Sequence, residues 1–246
     1  MKRRPQRKKR SAAARLRPFW FLLLVVAALA VAGGYYGATW SGFQPKGVKV
    51  SGNKTVSTAE ILSRAQISLH DNVWLQNMRA ASARVRAIPY IADVWIHRAP
   101  PANVSIVVTE RKPAAIVESN GAAVLVDDTL RVLQPAQANE ALPVVVSNAP
   151  APAPGATFRD EATRKLFADQ TLLAAQHVIV RRVQFDKYDD LVADMSGGVK
   201  LLLGDDSDLA EKSRMVAPIL SQVAAKGRRI DAIDLRAPKT PVVRFR

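Results

Sequence analysis

The chain has 246 residues, 48% of them hydrophobic, and a formal net charge of +15. This length is sufficient for one or two domains with a hydrophobic core. The absence of cysteine excludes disulfides, thiol catalysis and thiolate metal sites. The charge is concentrated in the first 17 residues, where nine basic side chains and no acidic one occur. Because nucleic-acid binding needs a basic surface on a folded domain, this distribution argues against it.

An uncharged apolar segment follows the basic tail. Residues 18–40 contain no charged side chain, and about 23 residues at ~1.5 Å each give roughly 35 Å, enough to cross a bilayer core. We therefore predict a cytoplasmic tail at 1–17 and one transmembrane helix at 18–40. Aromatic residues at both ends fit the two membrane interfaces: Trp20, Tyr35, Tyr36 and Trp40.

A cleaved secretory signal is the alternative for this segment. Ala30 and Ala32 form an A-x-A pattern of the kind that precedes a cleavage site. The apolar character continues to Trp40, however, which makes the segment longer than the core of a usual signal peptide. Both alternatives deliver the remaining chain across the membrane.

Residues 46–113 have the pattern of a compact βααββ unit. A short strand at 47–50 is followed by a helix at 58–65, whose start is marked by the capping-box pair Ser57 and Glu60. Two alternating segments at 94–96 and 104–108 predict a hairpin. Between them, helical spacing predicts a second helix that ends at a proline: Leu75, Met78, Ala81, Val85, Ile88 and Pro89.

Residues 114–246 predict a mostly antiparallel β-domain with flanking helices. Strand patterns occur at 116–117, 124–126, 178–185, 191–195, 199–203, 230–235 and 242–245, separated by turn residues. Helices are predicted at 160–176 and from Asp208 to about Gly227, the latter with a kink before Pro218. The whole chain therefore belongs to the α+β class.

Two motifs resemble the FtsQ/DivIB family of cell division proteins. Residues 94–101 (VWIHRAPP), 104–108 (VSIVV) and 110–115 (ERKPAA) resemble the end of that family's POTRA domain, and 124–127 (VLVD) and 233–236 (IDLR) resemble parts of its β-domain. These pieces occur in the family's order, behind a basic tail and one apolar helix. The family often has an aromatic residue after the last motif, where this chain has Ala237.

The resemblance implies a non-enzymatic scaffold in the inner membrane at the division septum, with its folded domains in the periplasm. Such a scaffold binds FtsB- and FtsL-type membrane proteins with its β-domain and links septal assembly to wall synthesis. Inner-membrane lipid and further copies of the chain are additional expected partners. Two other functions were weighed: a membrane-anchored cell-wall enzyme and a POTRA-containing transport or assembly factor, which usually carries several POTRA repeats.

The sequence shows no convincing catalytic, cofactor or metal site. The three histidines are widely spaced and match no catalytic motif. Ser51 and Lys54 match S-x-x-K, but the companion motifs of penicilloyl serine transferases are absent. An acidic cluster at 205–208 lacks the glycine and distal glutamate of a calcium loop, so we interpret it as a turn that caps the next helix.

The carboxyl-terminal strands are the predicted partner site. An edge strand presents unpaired backbone groups to which a partner strand can add. The predicted partner-binding residues are Asp234, Arg236, Val242, Val243, Arg244 and Phe245. For Asp234 and Arg236 two interpretations remain open at this point, a local ion pair at the strand end or a binding surface.

Overall fold

The computed structural model describes residues 12–138 and 140–246, with side chains from Phe19 onward. Most of the basic tail lies outside these residues. The chain forms two compact units. The first contains the described residues up to Asn53 together with Ser57–Val85 and Val94–Val108, and the second contains Lys54–Val56, Arg86–Asp93 and Thr109–Arg246. The predicted division of the soluble part into domains at 46–113 and 114–246 stays a prediction.

Helix α1, Ala12–Thr39, contains the predicted membrane span. Its segment Phe19–Thr39 is the one candidate span among the described residues, and none of that apolar window is buried in the protein. Exposing this much apolar surface to water is unfavourable. A bilayer is the environment that a helix of this length and composition fits.

Residues 48–110 have the predicted βααββ order. The elements are β1 (Val48–Ser51), α2 (Thr58–Ala65), α3 (Met78–Arg86), β2 (Ile91–Ala99) and β3 (Asn103–Glu110). The strand order is β1-β3-β2, with β1 and β3 parallel. Parallel neighbours require a crossover, which the segment containing α2 and α3 supplies. Helix α2 begins where the capping pattern predicts, since Ser57 Oγ accepts a hydrogen bond from Glu60 N at 3.1 Å.

Helix α3 is shorter than the apolar spacing predicts. It begins at Met78, and Leu75 lies in the preceding turn with 72% of its surface exposed. The prediction that Leu75 is a helical core residue is therefore wrong. The reason is Asn72, whose Oδ1 accepts from Trp74 N at 2.9 Å and holds the backbone in a turn.

The second unit contains a sheet of nine strands in the described residues. Its strands are β4 (Ala115–Ser119), β5 (Ala122–Val126), β6 (Val132–Pro135), β7 (Val144–Ser147), β8 (Val180–Phe185), β9 (Leu191–Met195), β10 (Lys200–Gly204), β11 (Ile230–Asp234) and β12 (Val242–Phe245). The order is β12-β11-β10-β9-β8-β7-β4-β5-β6. Three junctions, β10–β11, β4–β7 and β7–β8, are parallel. Strands β6 and β7 have no counterpart among the predicted strands.

Two helices cover one face of this sheet. Helix α4 (Glu161–Ala175) connects the parallel strands β7 and β8, and α5 (Leu209–Ala225) connects β10 and β11. Strand register places one row of apolar residues beneath them: Val124, Val117, Val145, Val183, Ala193, Leu201, Ile233 and Val243. All of them belong to or pack against one core. Each fully buried Val, Leu or Ile side chain stabilises the fold by roughly 1.5–3 kcal/mol.

The two ends of the sheet differ. The outer edge of β6 is covered by residues 155–158, where Gly155 N donates to Val132 O, Val132 N to Ala156 O and Phe158 N to Leu130 O. Strand β6 also ends in Pro135, which has no N–H. At the other end, β12 is paired only with β11 among the described residues. This sheet therefore has one covered edge and one open edge.

Candidate partner-binding site

Strand β12 provides the open edge at which the sequence places its partner site. It pairs antiparallel with β11, and the register joins Ala232 to Arg244 and Ile233 to Val243. Beyond the strand, Arg246 N donates to Arg229 O at 3.1 Å, so this donor points toward β11. Because donors alternate sides along a strand, the N–H groups of Val243 and Phe245 point away from β11. An incoming strand would meet these donors.

The side chains of β12 divide between the two faces of the sheet. Val243 packs partly against the core, at the end of the apolar row. Arg244 lies on the opposite face and is exposed. Val242 and Phe245 are 56% and 38% exposed. The ring of Phe245 carries the Arg228 guanidinium 3.6 Å from its centroid, a cation–π contact that orients both groups.

Asp234 and Arg236 form a local ion pair beside this edge. Arg236 Nη2 lies 2.6 Å from Asp234 Oδ2, and Nε lies 3.0 Å from Oδ1. The hydrogen bonds from Arg236 hold the pKa of Asp234 below its usual range. Gly204 allows this arrangement, since a Cβ there would lie 3.1 Å from the Arg236 side chain. The pair is exposed on its arginine side and fixes the end of β11.

The face opposite the helices carries a row of mainly charged side chains. The register places Arg182, Asp194, Lys200, Ala232 and Arg244 side by side on neighbouring strands from β8 to β12. At one end of the row, Arg182 makes a two-point contact with Glu118, with distances of 2.8 and 2.9 Å. A groove of about 1300 Å³ follows this face from β4 to β12. The sequence gives no sign of this row, because it depends on the order of strands that are distant in the chain.

The acidic cluster after β10 is a structured turn. Its Asp205 accepts from the buried Lys212 Nζ at 3.0 Å, and Asp206 pairs with Lys165 at 3.1 Å. Asp208 occupies the N-cap position of α5, but its φ is +57° and its side chain makes no capping bond. The expected side-chain cap at Asp208 is therefore wrong. The described residues contain no group of three or more side chains suited to a metal ion.

Asp169 is a buried carboxyl group close to this turn. It lies on α4, is 7% exposed, and its Oδ2 has no hydrogen-bond partner. Burial, assisted by the charge of Asp206, raises the pKa of Asp169 to about 6, although Lys165 acts in the opposite direction. The folded state therefore binds this proton more tightly than the unfolded state, and Asp169 destabilises the fold increasingly as the pH rises through 6.

We expect Asp169→Asn to raise the free energy of unfolding by about 1–3 kcal/mol at pH 7.5, with no gain at pH 4. Urea unfolding of both proteins at the two pH values measures this effect. Glu211→Gln, at an exposed carboxyl on α5, is the matched control and should change stability little at either pH. An equal effect of Asp169→Asn at both pH values would contradict the assignment.

The segment ERKPAA at 110–115 contains two stabilising residues, Glu110 and Arg111, whose roles the sequence does not reveal. The Glu110 carboxylate accepts hydrogen bonds from the N–H groups of Lys54, Thr55 and Val56 at 2.9–3.1 Å. Burial raises the pKa of Glu110, but these bonds outweigh it and hold that pKa below the usual range. Arg111 pairs with Asp127 at 2.7 Å. Both contacts join segments far apart in sequence, which is why local pattern cannot predict them.

Comparison with known proteins agrees with this architecture. Residues 43–111 match the family model described as "POTRA domain, FtsQ-type", and residues 115–236 match "Cell division protein FtsQ/DivIB, C-terminal". The chain is 30% identical over 214 residues to Cell division protein FtsQ of Streptomyces collinus, covering 84% of this chain and 79% of the relative. It is 27% identical to that of Streptomyces venezuelae (87% and 79% covered) and 25% identical to that of Neisseria meningitidis (78% and 77% covered).

An apolar N-terminal helix, a POTRA domain of the FtsQ type and a following β-domain define a class of membrane-anchored cell-division proteins. The chain belongs to the FtsQ/DivIB family of cell division proteins. The resemblance found in the sequence motifs is thereby confirmed, as is the α+β fold with a POTRA domain followed by a β-domain.

Proposed function

We propose that the protein is a non-enzymatic, single-pass membrane scaffold of the division complex, with its tail in the cytoplasm and both folded units outside. It binds FtsB- and FtsL-type division proteins and links septal assembly to wall synthesis. The observation that carries this proposal is the open edge of β12, where the N–H groups of Val243 and Phe245 point away from the sheet.

The chemistry around this edge supports strand addition. An added strand would gain backbone hydrogen bonds at β12, while Phe245 and Val242 offer apolar contacts beside it. Arg244 and the charges of Asp194 and Lys200 in the adjoining groove would select a partner whose charges are complementary. Most of the affinity would thus come from the backbone and most of the specificity from these side chains.

Val243→Pro tests the edge directly. Proline removes the outward N–H at this position, and we expect binding of FtsB-type protein to the full-length chain to weaken about tenfold or more. Surface plasmon resonance with the detergent-solubilised chain measures the affinity, and thermal unfolding reports any effect on the fold. Unchanged binding would move the site away from β12.

Two control variants distinguish the loss of an outward N–H group from damage to the core or to the β11–β12 pairing. Val243→Ala keeps the N–H but removes part of the side chain that packs on the core, so it should retain binding. Arg244→Pro removes a donor that points toward β11 and should lower both stability and binding. A pull-down of the full-length chain from a membrane extract, with identification of the bound proteins, distinguishes the scaffold from a wall enzyme.

The anchored topology has its own test. We expect amino-terminal sequencing of the membrane-purified protein to give the unprocessed terminus, because α1 remains apolar to its end. A mature terminus at Gly33 would show instead that the segment is a cleaved signal and that the protein is secreted.

A further inference from the structure

An exposed apolar surface in the POTRA unit lies beside the end of the anchor helix. It belongs to the connection between α2 and α3, which we call the 69–75 loop. Its apolar side chains Leu69, Trp74 and Leu75 are 45%, 41% and 72% exposed. Adjacent exposed apolar side chains of this size are unfavourable in water and mark a surface that something else covers.

Hydrogen bonds fasten this loop to the carboxyl end of α1. The last carbonyl groups of a helix lack partners within the helix. Asn72, from a distant part of the chain, donates hydrogen bonds to two of these carbonyl groups. Its Nδ2 lies 3.3 Å from both Gly37 O and Ala38 O. Next to it, Val73 N donates to Phe43 O at 2.9 Å. Asn72 is only 9% exposed, so the loop and the helix end form one ordered structure.

Further contacts hold Trp74 and the backbone around it. Trp74 Nε1 donates to Pro101 O at 3.1 Å, and the Arg98 guanidinium lies 5.3 Å from the centroid of the Trp74 ring. Arg98 also donates to Val73 O at 3.0 Å. Gln76 closes the loop by accepting from Ser68 N and donating to Ser68 O. The exposed apolar side chains are therefore presented by a rigid loop.

The helix end to which the loop is fastened is itself an interfacial segment. Tyr35, Tyr36 and Trp40 are 73%, 72% and 48% exposed, and aromatic side chains at the end of a spanning helix lie at the level of the lipid headgroups. Since Asn72 contacts the residues between them, a bilayer around α1 would reach the 69–75 loop as well.

We propose that the 69–75 loop is a second membrane contact, in which Leu69, Trp74 and Leu75 enter the boundary between headgroups and acyl chains on the outer side. The ligand is the phospholipid surface that surrounds α1. Asp71, exposed in the same loop, limits the depth, because its carboxylate stays among water and headgroups. Arg98 adds a positive charge where lipid phosphates lie. This inference rests on the proposed spanning topology of α1.

Such a contact restricts how the POTRA unit tilts over the membrane. A single helix followed by a free linker would let the unit rotate in all directions, whereas two attachment points, α1 and the loop, fix one face toward the bilayer. The restriction applies to the first compact unit, which contains both α1 and the 69–75 loop.

Spin labelling tests the proposal, since the chain has no cysteine and each introduced thiol is unique. Leu75→Cys and Leu69→Cys place nitroxides in the loop of the full-length protein, reconstituted in phosphatidylcholine–phosphatidylglycerol vesicles. Val107→Cys is the control in the same unit. It is 44% exposed and lies four residues beyond Asn103, about 13 Å further along β3 from the loop end of that strand. Leu29→Cys on α1, 68% exposed, reports the bilayer core.

We expect the ratio of oxygen to nickel-chelate collision rates to be several-fold higher at Leu75→Cys and Leu69→Cys than at Val107→Cys, and highest at Leu29→Cys. The proposal would be overturned, with the anchor left intact, if Leu29→Cys gave the collision ratio of the bilayer core while both loop positions gave the same ratio as Val107→Cys. Loop labels that stay in water until an FtsB-type partner is added would also overturn it and assign the surface to a protein. An aqueous signal at Leu29→Cys would overturn the anchor and the loop contact together.

Discussion

Replacing Gly52 with alanine should destabilise the POTRA unit by about 3 kcal/mol or more. Gly52 has a φ of +87°, which L side chains rarely adopt, and a Cβ there would lie 2.0 Å from Val108 O. The obstacle is backbone rather than a flexible side chain, so the β1–β3 pairing itself must move. Chemical denaturation of the full-length protein, followed by the fluorescence of its tryptophans, measures the loss.

Gly47→Ala is the matched control for this experiment. Gly47 precedes β1, and a Cβ there meets nothing within 4 Å. We expect its unfolding free energy to stay within about 0.5 kcal/mol of the parent. If Gly52→Ala behaved in the same way, the close approach between Gly52 and Val108 would not exist in solution.

Replacing Asp127 with alanine should cost about 3 kcal/mol at neutral pH. Its side chain is 2% exposed and accepts hydrogen bonds from Arg111 Nη1, Thr129 N, Thr129 Oγ1 and Arg131 N. Removing the carboxylate leaves these donors, including the charged and mostly buried Arg111, without their acceptor. Equilibrium unfolding in urea gives the difference, and Asp128→Ala, at the exposed neighbouring position, should change little.

The contribution of Asp127 should also depend on pH. Burial raises its pKa, but the hydrogen bonds from Thr129, Arg131 and Arg111 outweigh burial and hold the pKa of Asp127 below its ordinary value. The stabilisation is therefore present above the pKa of the unfolded state, about 3.9, and is lost as the pH falls through the folded value. The difference between the parent and Asp127→Ala should shrink in acid, and a difference constant from pH 7 to pH 3 would contradict this account.

Local sequence signals predict those elements whose causes are local. The capping pair Ser57 and Glu60 predicts α2 at its observed bounds, and apolar segments bounded by turn residues predict β9 and β12. The same method places Leu75 in the core, because spacing alone does not reveal that Asn72 turns the chain. Strand β7, Val144–Ser147, escapes prediction since a short apolar run between prolines lacks both periodicity and length.

In the candidate site, too, features with local causes can be predicted and features that depend on distant residues cannot. Strand β12, which carries predicted partner-binding residues, lies at an edge of the sheet, whereas the charged row from Arg182 to Arg244 arises from the spatial order of five strands. Glu110 and Asp127 likewise act through partners more than 15 residues away or across a turn. Sequence pattern indicates which residue types are present, and strand order decides which of them meet.

The difference between its two edges limits how many further strands the nine-stranded sheet can accept. Residues 155–158 and Pro135 close the β6 side, so the proposed strand addition to this sheet would be restricted to β12 and would not propagate through it into a fibre. This sheet would then accept one added strand. Two copies joined through their β12 strands would each occupy the open edge of the other. We therefore expect such a pair to compete with an incoming division partner for β12.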